Sequence, residues 1–413
     1  MLLKNASIWY HEQILHGHIF VNEETGLINR VSLSDSSRKP YEESIDLKGK
    51  LVIPSFVDIH SHLRDFEESH KETYETGALA AAAGGFTTIF DMPNKINPIN
   101  SSKHLKKVVE KASRIKSCEI IPYVLLNKDT ESSLISNYPY SKAYLGATTG
   151  NYITDVSGVK AFLTKLSGVI VVHCEDNERI NNNLKRFPAT LENHGKIHDS
   201  LTEVLAINNL LKATKDIIIK GKLHIAHVTL RKSIEILHSR GISFEVTPHH
   251  LFLNNDDLAY LGVKGKMNPP LRSKLEQQNL LKAFLTNQIP IISTDHAPHT
   301  KQEKIDLELA GVPGLETCFP LLFDFCKPLD LKKLKLIIQV LAINPRVLMN
   351  LSGRGIIDAN EPANLTVIDR KKKRKIRGED LFTKCKWSPW EGHELQGWPV
   401  LTIRKGKITY NDL

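Results

Sequence analysis

Between about residues 51 and 350 the chain alternates short β-rich apolar runs with longer helix-like stretches, and few architectures accommodate that alternation. The strand candidates are residues 52–59, 86–91, 119–126, 142–145, 169–173, 223–227, 243–247 and 290–294. Several are continuous apolar runs, the pattern of parallel strands covered on both faces. Helix-like segments lie between them, such as 72–83, stopped by Gly84-Gly85, and 101–116. Eight strands separated by helices read as an α/β chain closed into a (β/α)8 barrel. An open doubly wound sheet would usually show a Gly-rich phosphate turn after its first strand, and none is present. Residues 1–50 and the stretch after about 355 are instead strand- and turn-like. Both chain ends, 1–50 and 351–413, are expected to fold together as a small accessory β-sandwich beside a barrel spanning 51–350.

The formal charge of +9 suggests nucleic-acid binding until it is located. Residues 370–377 (Arg-Lys-Lys-Lys-Arg-Lys-Ile-Arg) hold seven basic side chains, and taking these from +9 leaves +2 for the remainder. One basic run near the end reads as a solvated loop or strand edge. Nucleic-acid binding would need a broader basic face with exposed aromatics. The five cysteines are scattered and contain no C-x-x-C pair, which argues against a disulfide framework or thiolate zinc site. No secretory apolar core and no bilayer-length apolar run is evident, so a soluble, cytoplasmic protein without a membrane partner is expected.

Functional side chains in such a barrel gather at the C-terminal ends of the strands. The first candidate end is Asp58-Ile59-His60-Ser61-His62-Leu63-Arg64-Asp65. Side chains at i and i+2 of a strand share a face, so both imidazoles can reach one metal ion with a guanidinium close behind. Among 18 histidines a His-x-His pair alone is weak evidence, and a satisfied structural pair explains it equally well. Later strand ends change that: Asp91-Met92-Pro93-Asn94, Lys142, His173, His227, His249-His250 and Asp295. Imidazole and carboxylate suit zinc or a similar first-row ion. Lys142 is no ligand as an ammonium, but burial in its short strand would favour the neutral amine. That amine can add CO2 to give a carbamate, an anionic ligand able to bridge two metals. Lys160 competes for this role, but lies too close before His173 to leave room for a crossover helix.

These pieces, in this order, resemble the dihydroorotases of the amidohydrolase superfamily, which have a TIM-type barrel, and the likeness runs through nearly the whole chain. The matching segments include Gly84-Gly85-Phe86-Thr87-Thr88-Ile89-Phe90-Asp91-Met92-Pro93-Asn94, Lys142-Ala143-Tyr144-Leu145-Gly146 and Val172-His173-Cys174-Glu175. Others are His224-Ile225-Ala226-His227-Val228, Asn268-Pro269-Pro270-Leu271-Arg272 and Ser293-Thr294-Asp295-His296-Ala297-Pro298-His299. The resemblance implies two divalent ions, Zn2+ foremost, with a hydroxide between them. One ion would take His60, His62, Lys142 as its CO2-derived carbamate, and Asp295; the other would take Lys142, His173 and His227. His224, His249 and His250 are left to packing or support of the ligands.

The reaction so implied is the reversible cyclisation of N-carbamoyl-L-aspartate to L-dihydroorotate and water in de novo pyrimidine (UMP) biosynthesis, with Asp295 as general acid and base. Arg64, Asn94 and His299 match residues that hold the substrate carboxylate, and a guanidinium can grip a carboxylate through two hydrogen bonds. Asn268 and the backbone near Ala310 and Gly311 match positions that touch the ring. Thr148 and Thr149, in the loop after the fourth strand, resemble part of a lid, although a plain polar turn fits them equally well. The resemblance also implies a homodimer and leaves association with a transcarbamoylase open. Allantoinases and hydantoinases share fold and metals, but an arginine at position 64 would have nothing to pair with there. A scaffold barrel without activity predicts lost ligands, whereas every ligand position is filled.

Overall fold

The structure, a computed structural model, describes residues 1–33, 44–147, 152–328 and 330–413. Thr148 and Thr149 of the expected lid therefore lie outside the described residues. Eight parallel strand positions make a barrel: Phe56–Ser61, Phe86–Asp91, Glu119–Pro122 continued by Val124–Leu125, Tyr140–Tyr144, Val169–His173, Lys222–Ile225, Ser243–Val246 and Ile291–Ile292. The first three pair as one sheet and the rest, from Val124 onward, as a second. The Tyr123 N–H donates to Asp91 O across one seam (2.9 Å), and a parallel bridge between Ser61 and His296 closes the other. The helices cover the outside. Tyr74–Ala83 begins with a reciprocal cap between Thr73 and Thr76, and Ser102–Ser113 is capped by Ser101. A large apolar core, including Phe56, Phe86, Ile89, Ile170, Val172, Phe244 and Ile292, fills the space between strands and helices.

The expected first strand, 52–59, is two strands in different sheets. Leu51–Pro54 pairs in parallel with Leu2–Tyr10 and antiparallel with Leu365–Lys375, while Phe56–Ser61 opens the barrel. Ser55 marks the switch. Its hydroxyl lies 2.6 Å from that of Thr87, and the buried Arg346 donates to both its carbonyl and its hydroxyl. Both halves are fully buried, and the apolar run continues across the join into Phe56 and Val57, so a hydropathy reading runs through it.

The accessory sheet runs Lys407–Asn411, Glu394–Arg404, Leu365–Lys375, Leu51–Pro54, Leu2–Tyr10, Gln13–Asn22, Leu27–Ser32, with Ser44–Asp46 also on Leu2–Tyr10. It curls back on itself. The Ile28 N–H donates to Glu361 O and the Asn360 N–H to Ile28 O, each at 2.8 Å, around a separate core that includes Ile8, Ile19, Ile28, Val52, Val367 and Leu401. The basic run forms the outer part of Leu365–Lys375, beyond the four residues that pair with Leu51–Pro54. Lys372 and Arg374 are both ion-paired to Asp412. Part of the C-terminal stretch leaves this sheet for the barrel. Trp387 and Trp390 pack with Leu253, Leu271 and Val312, and the Trp387 indole donates to His299 O at 2.8 Å. All five cysteines are buried and unpaired. Among the described residues no helix is long and apolar enough to cross a membrane.

Candidate active site

His60 lies one residue before the end of the first barrel strand and His62 one residue beyond it, their ring centroids 5.4 Å apart. Each has its Nδ1 engaged. His60 Nδ1–H donates to the buried Glu245 carboxylate, and His62 Nδ1–H donates to Asn94 Oδ1 at 2.9 Å. Those bonds fix both tautomers and leave both Nε2 lone pairs free. The two lone pairs converge on Asp295 Oδ1, at 3.3 Å from His60 and 3.1 Å from His62. Burial lowers the His60 imidazole to about 4 and holds His62 and His227 well below their usual range, so the rings are neutral. Burial raises the Asp295 carboxyl, with His60 and Lys142 opposing.

The fifth and sixth strands supply the rest. His173 ends Val169–His173, and its Nδ1 lies 2.9 Å from His227 Nε2. Its Nε2 stands 3.1 Å from Glu175, whose other oxygen accepts from His198 Nδ1. His227 and Asp295 have φ of +35° and +44°, left-handed values that are rare outside glycine and that occur here just beyond strand ends. Lys142 is wholly buried in its strand, and its Nζ has no hydrogen-bond partner. Burial lowers this amine to about 8, and its charge acts on His60, His62, His227 and Asp295.

Acceptor atoms that face one another without a donor repel, and a cation between them removes the conflict. One donor atom each from His60, His227 and Asp295 lies within 4.8 Å of the others, a set able to hold a metal ion. The orphaned Lys142 Nζ and His227 Nδ1 add two more unmet buried groups. Neutral imidazoles with a carboxylate suit a first-row divalent ion.

The expected substrate residues gather round the same cavity. Arg64, Asn94, Asn268, Ala310 and Gly311 line it with His60, His62, His173, His227 and Asp295; Tyr144 and Ala297 line it too, unexpectedly. Arg64 begins three successive left-handed residues, with φ from +54° to +50° through Phe66. Its Nε donates to Pro298 O at 3.2 Å. His299 Nε2 stands 3.2 Å from Arg64 Nη2 and 3.0 Å from Ala310 O. Burial and the Arg64 charge keep His299 neutral, so its Nε2 either donates to Ala310 O or accepts from Arg64, not both. Asn268 Oδ1 is buried and unpartnered. At Gly311 φ is +131°, and a Cβ would come within 2.7 Å of Ala297 O, so glycine is required. Its N–H donates to Lys266 O, which removes that group from ring recognition.

Sequence reasoning missed the carboxylates behind the candidate ligands. Glu245 accepts from His60 on one oxygen and from His224 Nε2, at 3.2 Å, on the other. Asp58 accepts from the Thr294 N–H at 2.8 Å and hydroxyl at 2.6 Å, joining the first strand end to the eighth. The available signal was a lone acid inside a buried apolar strand, as in Ser243-Phe244-Glu245-Val246. His250 bonds to Thr247 Oγ1 and Pro269 O. His249 Nε2 is buried and has no partner among the described residues.

The barrel and the donor set at its mouth define an enzyme of the cyclic amidohydrolase class. The family model described as dihydro-orotase-like matches residues 49–186. The chain is 34% identical over 410 residues to a dihydroorotase of Thermococcus kodakarensis, covering 96% of this chain and 94% of that one. It is 33% identical over 386 residues to a dihydroorotase of Bacillus cytotoxicus, covering 89% of each. This chain belongs to the dihydroorotase family. Among solved structures it superposes on an L-hydantoinase (dihydropyrimidinase) of Arthrobacter aurescens with a TM-score of 0.92 at 22% identity, over 100% of this chain and 96% of the other. A D-hydantoinase (dihydropyrimidinase) of Thermus sp. gives 0.85 at 22% identity, over 100% and 95%. At these identities the likeness concerns the fold alone.

Proposed function

We propose that this enzyme interconverts N-carbamoyl-L-aspartate and L-dihydroorotate, as the dihydroorotase of de novo pyrimidine biosynthesis. The observation that carries this reading is Arg64. Its guanidinium is buried, lines the cavity, and hydrogen-bonds to Pro298 O and His299, while the buried Glu68 acts on it only at longer range and is itself paired with Lys71. A buried cation with no carboxylate in direct contact is costly, and the free carboxylate of dihydroorotate would supply that contact. Asn94, whose Oδ1 holds His62, and His299 stand beside it.

Two divalent ions, Zn2+ in this reading, would be held by His60, His62, Asp295 and carbamylated Lys142, and by Lys142, His173 and His227. Bound there, they supply water activated at neutral pH and polarisation of the ring carbonyl. The chain's residues do the remaining work. Arg64 anchors the end of the substrate that does not react, so the scissile amide comes to rest beside Asp295. In ring opening Asp295 takes the proton of the attacking water and delivers it to the departing ring nitrogen; in cyclisation it returns a proton to the leaving oxygen.

In this reading the barrel is the catalytic unit and both chain ends form the accessory one, with Leu51–Pro54 assigned to the sheet that it hydrogen-bonds. Five unpaired cysteines support a reducing, cytoplasmic setting. The homodimer rests on resemblance, and sedimentation tests it. The decisive experiment offers the purified protein dihydroorotate, hydantoin and allantoin, with and without chelator. Turnover of dihydroorotate, abolished by chelator and restored by zinc, is expected. Turnover of only the uncharged rings overturns the substrate assignment, and chelator-resistant turnover overturns the metal assignment.

A further inference from the structure

Tyr144 is the last residue of the fourth barrel strand, two residues after Lys142 and on the same face. Its ring centroid is 5.2 Å from Lys142 Nζ and 6.0 Å from that of His173. It lines the cavity that holds His60, His62 and Asp295. The residue is 3% exposed, and its hydroxyl has no hydrogen-bond partner among the described residues. Phenylalanine would fill the same space without leaving a buried O–H unmade, so the hydroxyl works against stability in the substrate-free protein. A phenol is protonated at neutral pH and can donate one hydrogen bond. The described residues offer it no acceptor; a substrate oxygen would.

We propose that Tyr144 is a further catalytic residue, whose O–H donates to the oxygen of the ring carbonyl under attack. This rests on the dihydroorotase reading above. The ring lies beside Lys142 and His173, and its hydroxyl is within electrostatic reach of Asp295 as well as of Arg64. The Arg64 hydrogen bonds run instead to Pro298 and His299, beyond the eighth strand. In ring opening the water oxygen bonds to the carbonyl carbon, and the C=O π pair moves to the carbonyl oxygen. Tyr144 keeps its proton and stabilises that negative charge. When the C=O bond re-forms, the C–N bond breaks and the nitrogen takes the proton carried by Asp295. A donor aimed at charge that develops only in the transition state acts on kcat more than on KM.

The test is Tyr144→Phe in the metal-loaded enzyme, with kcat and KM for dihydroorotate, bound metal and thermal midpoint all measured. We expect kcat to fall by about 10²–10³-fold, as for loss of one such donor, with KM changed less than about threefold. Metal content should be unchanged, and the midpoint of the substrate-free protein equal or higher, because no internal bond is lost. An unchanged kcat, a loss confined to KM, or a lower midpoint with loss of metal would each overturn the proposal. Should the wild type turn over hydantoin and not dihydroorotate, the substrate reading fails. The ratio of Tyr to Phe rates on that ring would still decide the role of Tyr144.

Discussion

Glu245→Gln separates an orienting carboxylate from the ligands it orients. The Glu245 carboxylate is fully buried in the seventh strand and accepts from His60 Nδ1 on one oxygen and His224 Nε2 on the other. Glutamine keeps the shape but has only one accepting oxygen, so its NH2 must face one of the two ring N–H groups. The His60 tautomer that directs its Nε2 lone pair at Asp295 then loses its cause. Removing such a partner behind a ligand costs about 10–100-fold in metal affinity or activity, or about 1.4–2.8 kcal/mol. Chelator competition for zinc and kcat/KM for dihydroorotate should both show that loss. Metal-free stability supplies an independent reading. Burial pushes the Glu245 carboxyl up, but His60 and His224 outweigh it and hold the carboxyl well below the usual carboxylate range. A folded value depressed in this way stabilises the protein above the unfolded value, near 4.3, and the contribution is lost as pH falls towards the folded value. The advantage of wild type over the Gln variant should therefore be full at pH 6–7 and shrink below about pH 4. Zinc affinity within twofold of wild type, with unchanged kcat/KM, would refute the reasoning.

Three further outcomes follow from the same geometry. Arg64→Ala should weaken dihydroorotate binding by about 10–100-fold, because a charged, buried hydrogen bond is lost; inhibition by carboxylate-free rings should be unaffected, and unaltered dihydroorotate affinity would undo the carboxylate grip. Asp295→Asn should lower kcat by about 10²–10⁴-fold through loss of the proton carrier, and a variant within tenfold of wild type in single-turnover assays would exclude that role. The Lys142 amine, brought by burial to about 8, is mostly protonated at pH 7 and mostly neutral at pH 9. Only the neutral form takes up CO2, so at equal dissolved CO2 the activation of metal-free protein by zinc should be about tenfold faster at pH 9 than at pH 7, and a flat profile at equal CO2 would count against carbamate formation.

The parts of the site legible in the sequence are those set by local rules. His60 and His62 fall on one face because they are two apart on a strand, and His173 and Asp295 were found because buried parallel strands announce their ends. What the sequence hid depends on closure of the ring. Glu245 lies 185 residues from His60, and Asp58 lies 236 from Thr294. A lone acid inside a buried apolar strand announces that Glu245 has a partner, but nothing local says that the partner is His60. The same limit explains the first strand: the apolar run of Leu51–Pro54 continues through Phe56 and Val57, and Arg346, held against Ser55 from 291 residues away, marks where the chain changes sheet. Tyr144 is the clearest instance. In the sequence it is one more aromatic in a β-rich run, where a core role is the default reading. Its significance is that its hydroxyl meets nothing, and an unmet hydrogen bond becomes visible only when every neighbour is known. Candidate ligand atoms can be read from periodicity because a metal would need only their chemical type and their face of the strand. Orienting and substrate-facing groups are defined by what they lack until the partner arrives, and that is a property of the closed barrel.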